Sequence, residues 1–187
     1  GPAYRLVRLQ TKADAKVKAR ERARAFASAA QKAVQTPSEP VAVRVLFSGY
    51  APVHFLCFRP LYERLRALPG VEVFVSGGLR TKRKNGWKYD AQALYAPLGV
   101  PADRILSVNE VRKRDFDVAV GANTKLILPR SASKTIQIFH GISFRNKAVR
   151  SANMSCDHYF LIGPYMHRRF VDAGLLRDGD ERAVSAG

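Results

Sequence analysis

Apolar and polar positions alternate in blocks along the chain. Val41 to Phe47 is an apolar, β-branched run interrupted only by Arg44. Ser48-Gly49-Tyr50-Ala51-Pro52 follows as a turn. Phe55 to Leu68 then changes to helical spacing, with Leu61, Leu65 and Leu68 as a stripe, and Pro69-Gly70 stops it. Val71 to Val75 is a second strand, ended by Ser76-Gly77-Gly78. Trp87 to Leu98 reads as a helix. Four further strands are expected at Arg104 to Val108, Phe116 to Val120, Ile136 to Phe139 and His158 to Ile162. Pro164 to Ala173 is a helix with Gly174 as its C-cap, and Arg182 to Ser185 begins a last strand.

Short apolar strands alternating with helices predict an α/β fold, a Rossmann-like, mainly parallel sheet with helices on both faces. Such folds bind ligands beyond the carboxyl ends of their strands. That directs attention to His54, to His140-Gly141 and to Gly163-Pro164-Tyr165, each just after a predicted strand. Pro164 suits the first position of a helix, whose backbone N–H groups can hold an anion.

Ahead of these blocks the texture differs. Residues 10 to 35 are rich in Ala, Lys and Arg without Gly or Pro, which favours a helix. Its apolar face is thin: Phe26, Ala30 and Val34. Thr36-Pro37-Ser38-Glu39-Pro40 reads as a linker. The domain division expected is therefore 1–40 for the basic helix and linker and 41–187 for the α/β unit. The opening Gly1-Pro2, lacking an initiator Met, reads as a protease scar and carries no weight for the fold.

Charge sharpens the functional picture. Lys plus Arg number 32 against 15 acids in 187 residues, a net of +17, which calls for an anionic partner. No acid lies between Asp117 and Asp157, while Lys125, Arg130, Lys134, Arg145, Lys147 and Arg150 all do, with His140 among them. A second basic block holds Arg80, Lys82, Arg83, Lys84 and Lys88 and reads as solvated loop. The aromatics of the chain are not interleaved with its basic runs as stacking platforms for bases would be. Specific nucleic-acid binding is therefore not expected. The alternative function is a basic module for nucleic acid or anionic membrane without catalysis, the membrane contact running through residues 10–35.

Dinucleotide-binding glycine patterns, P-loops, zinc-protease motifs and nucleophile elbows are all absent from the sequence. Cys57 and Cys156 lie far apart without metal-ligand spacing, so no metal or cofactor is expected and a reduced, cytoplasmic setting is the default. His158 reads as packing or strand edge and His167 as part of a solvated basic face beside Arg168 and Arg169. Tyr50 and Tyr165 read as rim residues.

The run IQIFHGISFRNKAV, followed by CDHYFLIGPYMHRRFVDAGL, resembles the CDP-glycerol glycerophosphotransferase family, builders of teichoic-acid-like polymers. VRVLFSGYAPVHFLCFRPLYERL looks like the opening strand, loop and helix of such a domain. The likeness covers about residues 41 to 187. It implies the N-terminal, acceptor-side half of a two-domain GT-B architecture, the nucleotide donor being held mainly by a C-terminal half beyond this chain. It implies transfer of glycerol phosphate, or a related polyol phosphate or sugar, from a donor such as CDP-glycerol to a polymer hydroxyl. The acceptor would be an anionic polymer or a lipid-linked chain at the inner face of the membrane. By the same resemblance His140 is the candidate general base, and an imidazole with an ordinary pKa of about 6.5 can accept a proton near neutrality. Arg145 and Lys147 would steady acceptor phosphates, with His54, Gly141, Gly163, Pro164 and Tyr165 as further binding positions. Where relatives often carry Pro, Leu and Lys after His-Gly, this chain has Ser143, Phe144 and Arg145.

Overall fold

The computed structural model describes residues 42–84, 86–122, 126–139 and 148–186. The basic segment 10–35, His140, Gly141, Arg145 and Lys147 lie outside the described residues.

The described chain builds a seven-stranded sheet in the order β5-β2-β1-β6-β7-β8-β9. Its strands are β1 (Val43–Gly49), β2 (Val71–Gly77), β5 (Ile105–Leu106), β6 (Asp115–Ala122), β7 (Ser131–Ile138), β8 (His158–Leu161) and β9 (Ala183–Ser185). Every neighbouring pair is parallel. The fold is α/β and Rossmann-like, as the alternation of elements predicts. The strand order reverses between β1 and β6, the point where doubly wound sheets open a ligand crevice.

One face of β5-β2-β1-β6 is covered by α1 (Pro52–Arg66) and α2 (Ala91–Tyr95). The core there is aromatic. Phe47 of β1 stacks on Phe58 at 4.8 Å, and Phe55 meets Phe58, Tyr62 and Tyr95 edge-on. Burying one such ring contributes about 2–3 kcal/mol, which makes these rings the main anchor of α1. The expected leucine stripe is thus displaced. Leu61 and Leu65 pack only at the margin and Leu68 is exposed, because the helix turns Phe55, Phe58 and Tyr62 inward.

The opposite face carries two clusters. Leu46, Phe74, Leu106, Val111, Phe116 and Ile127 pack under α3 (Val108–Val111). Tyr159, Leu161 and Phe139 pack against Met166 and Phe170 of α4 (Gly163–Asp172). Gly174, at φ 69, lets the chain leave α4 in the left-handed conformation that its C-cap reading requires.

Two elements depart from expectation. Residues 79–90 form an antiparallel hairpin, β3 (Leu79–Arg83) and β4 (Gly86–Asp90), where a loop and the start of a helix were expected. Only Ala91–Tyr95 of the expected helix is α-helical, opened by Asp90, whose carboxylate accepts from the Ala93 N–H at 3.0 Å. The third strand shrinks to Ile105–Leu106 because Ser107 caps α3. Its hydroxyl accepts from Glu110 N–H at 3.2 Å, and the Glu110 carboxylate accepts from Ser107 N–H at 2.8 Å.

Candidate functional site

At the crevice position β1 ends in Ser48-Gly49 and hands over to Tyr50, with β2 ending alongside in Ser76-Gly77. Buried Tyr95 ties the two ends together. Its hydroxyl lies 2.8 Å from the Ser76 carbonyl and 3.2 Å from that of Gly49, and its single proton is shared between them. Burial pushes the Tyr95 pKa well above its usual value, so this bolt stays protonated. Ser48 donates from its hydroxyl to the Val120 carbonyl at 3.2 Å and joins β6 to the same rim.

The glycines here are demanded by close approach. A Cβ on Gly77, at φ 103, would stand 2.1 Å from the Gly49 carbonyl oxygen. One on Gly78, at φ 112, would stand 2.1 Å from the Asp90 carbonyl carbon. Gly78 N–H donates to that Gly49 oxygen at 2.9 Å. The pair therefore pinches the root of the β3–β4 hairpin against the end of β1.

His54 occupies the first turn of α1. Its Nδ1 accepts from the Tyr50 backbone N–H at 2.9 Å. In the neutral ring the proton then belongs on Nε2, and Nδ1 is committed to holding the loop. His54 thus shapes the rim. Tyr50 is pushed up to about 12 by burial, with Tyr89 adding to the rise and the guanidinium groups of Arg80 and Arg112 opposing it. It is a hydroxyl donor at neutral pH.

The other residues singled out from sequence separate into two places. Gly163 and Pro164 follow β8 and open α4, as predicted, and line a cavity of about 220 Å³ with Leu161, His167, Ala183 and Ser185. His167 is therefore half-buried at this cavity and not simply part of a solvated face. Tyr165 is exposed on the rim. β6 and β7 stand between β1 and β8, so the Tyr50–His54 group and the Gly163–Pro164 group are three strand spacings apart, about 14 Å. The position between them is the end of β7, where Phe139 is buried and His140 is next in the chain. His158 stands at the amino end of β8, on the opposite rim.

The hairpin carries chemistry of its own. Arg80 pairs across from Tyr89 and Lys82 from Trp87, so two cations and two aromatic rings share one face. The Arg80 guanidinium sits 4.5 Å over the Trp87 ring, and Tyr89 packs at a tilt against Tyr50, 5.0 Å between ring centres. Cations and aromatics are interleaved after all, across the ladder instead of along the chain. The signal that predicts this is Asn85-Gly86, the dipeptide most favoured in tight hairpin turns.

Among the described residues no group of His, Cys, Asp and Glu is placed to hold a metal ion, and no helix is long and apolar enough to cross a membrane. Comparison with family models, curated proteins and solved structures finds no match to this chain.

Proposed function

We propose that this chain is the acceptor-side domain of a transferase that moves glycerol phosphate, or a related polyol phosphate or sugar, from a nucleotide-activated donor such as CDP-glycerol to a polymer hydroxyl, in the synthesis of a cell-wall or capsule polymer. The observation that carries the proposal is the Rossmann-like switch point between β1 and β6, rimmed by Tyr50 and His54, with the basic β3–β4 hairpin packed beside it through Tyr89 on Tyr50. The His-Gly pair follows the next strand along that rim. Phosphoryl transfer asks for a base at the attacking hydroxyl and for cations around the moving phosphoryl group. In this reading His140 takes the proton of the acceptor hydroxyl. The freed oxygen attacks the phosphorus bearing glycerol, the P–O–P bridge breaks, and CMP leaves. Arg145 and Lys147 balance the charge of acceptor phosphates. The reading implies a partner domain for the nucleotide, and anionic lipid contact through residues 10–35 accords with a lipid-linked acceptor.

The test is CMP release by the enzyme carrying both halves. His140→Ala is expected to fold normally and to lose about 10²–10⁴ in kcat. Near-normal release would remove His140 from the mechanism. This domain alone is expected to bind CDP-glycerol weakly, and tight binding would contradict the division of labour.

A further inference from the structure

The β3–β4 hairpin stands apart from the core. Every described residue from Leu79 to Asp90 is exposed except Tyr89, which is half-buried against Tyr50. Five cations, Arg80, Lys82, Arg83, Lys84 and Lys88, crowd this short ribbon. Its one acid, Asp90, is already engaged in capping α2. Among the described residues none of the five cations makes an ion pair. Like charges this close on a ribbon repel one another, and an anionic partner removes that cost.

We infer that this hairpin is the docking arm for the acceptor polymer, with Arg80 and Lys82 holding successive phosphates of a polyol-phosphate chain. The inference rests on the transferase reading above and gives its acceptor a place to lie. Arg80 and Lys82 are two residues apart on one face, about 7 Å, on the scale of one three-carbon phosphodiester repeat. The rings decide between polyanions. Trp87 gives one face to Arg80, and Tyr89 is half-buried at a tilt against Tyr50, so the hairpin lacks the succession of open rings on which bases would stack. Here the aromatics hold the guanidinium in place for phosphate. Exposed apolar surface on the hairpin is confined to Leu79 and Trp87, too little to seat it in a bilayer. Continuity supports the direction of the chain. Tyr89, directly across the ladder from Arg80, packs against Tyr50 at 5.0 Å, so the cationic face of the hairpin adjoins the end of β1.

Trp87 is the only tryptophan in the chain, so its fluorescence reports on the hairpin directly. Titration of the 187-residue chain with a synthetic glycerol-phosphate oligomer at physiological ionic strength is expected to give a saturable change in that signal. Anisotropy of a labelled oligomer then compares variants. Arg80→Ser with Lys82→Ser is expected to weaken binding about tenfold or more. Arg64→Ser with Lys134→Ser, the same change of charge elsewhere, is expected to leave it nearly unchanged. Circular dichroism verifies that both variants fold. Equal weakening by the two pairs, or no saturable Trp87 change, overturns the docking arm. So does tighter binding of oligothymidylate or of phosphatidylglycerol vesicles. The two proposals fail separately. Oligomer docking on the hairpin without CMP release by the two-domain enzyme sinks the transferase reading alone. CMP release with hairpin-independent oligomer binding sinks the docking arm alone.

Discussion

The two rims of the sheet use charge in opposite ways. At the amino ends of the strands carboxylates hold Arg44, Arg104, Arg130 and Arg182. Glu72 takes both Arg44 and Arg104, at 3.4 and 3.1 Å. Asp115 accepts from Arg130 and from the Ser131 hydroxyl. Asp117 accepts from the Arg44 backbone N–H at 2.7 Å, and Asp157 takes the N–H and hydroxyl of Thr135, both at 2.7 Å. Asp180 binds Arg182 just ahead of β9. These carboxylates stitch adjacent strands where the ladder begins. The carboxyl rim is held instead by uncharged devices: Tyr95 between two carbonyls, Ser48 on Val120, and two glycines that let backbones touch. Its cations are left over from folding, which is where a binding surface is to be sought.

That contrast can be broken in several ways, the largest at the glycine pinch. Gly77→Ala is expected to destabilise by about 3 kcal/mol, combining a disfavoured φ with a backbone clash. Gly99→Ala has a similar φ of 83 but nothing within 4 Å, and is expected to cost about 1 kcal/mol. Urea unfolding of the two variants measures the difference, and equal costs would mean that the rim yields.

Next comes acid. Hydrogen bonds from Arg130 and Ser131 hold Asp115 below the usual carboxylate range, Arg182 does the same for Asp180, and Thr135 for Asp157. A carboxylate whose folded pKa is depressed stabilises fully above its unfolded pKa and progressively less as pH falls through the folded one. The unfolding midpoint should therefore hold near neutrality and decline below about pH 4. A flat profile there would show that the amino-rim carboxylates contribute nothing. Because these pairs are exposed, salt should reduce their effect.

A smaller effect is expected at His54. His54→Ala removes the acceptor for the Tyr50 N–H and should cost about 1 kcal/mol in urea unfolding. No loss would mean that the loop after β1 is held by other contacts. The smallest effect is expected on the hairpin. Arg80→Ser with Lys82→Ser should leave the unfolding midpoint in place, since exposed cations without ion partners do not support the fold. A clear fall would return those cations to a structural role.

The strands were readable because their apolar runs are local: Val43 to Gly49 and Val71 to Gly77 announce themselves within seven residues. The hairpin was not, because β3 and β4 bury almost nothing, and period-two hydrophobicity is the signal that burial leaves in a sequence. Only the turn chemistry of Asn85-Gly86 marked it. The capping box at Ser107 and Glu110 was likewise written in the chain and ends the third strand early. The stitching of the amino rim joins residues as far apart as Arg44 and Asp117, and no local pattern carries such a pairing. Of the candidate site, Gly163-Pro164 was placed correctly after its strand, whereas His54, expected in the loop after β1, lies in the first turn of α1 because the helix starts at Pro52. Their separation depended on strand order, which the linear sequence does not display.

The glycine pinch has one more consequence, for how the molecule can be altered. Gly78 and Asp90 enclose the hairpin, and their backbones already touch. Closing so short a gap with fewer residues costs little loop entropy. Residues 79 to 89 are thus a detachable cassette. They can be deleted or exchanged for another ribbon while β2 and α2 keep their places, and the surface charge beside the end of β1 becomes a property that can be grafted.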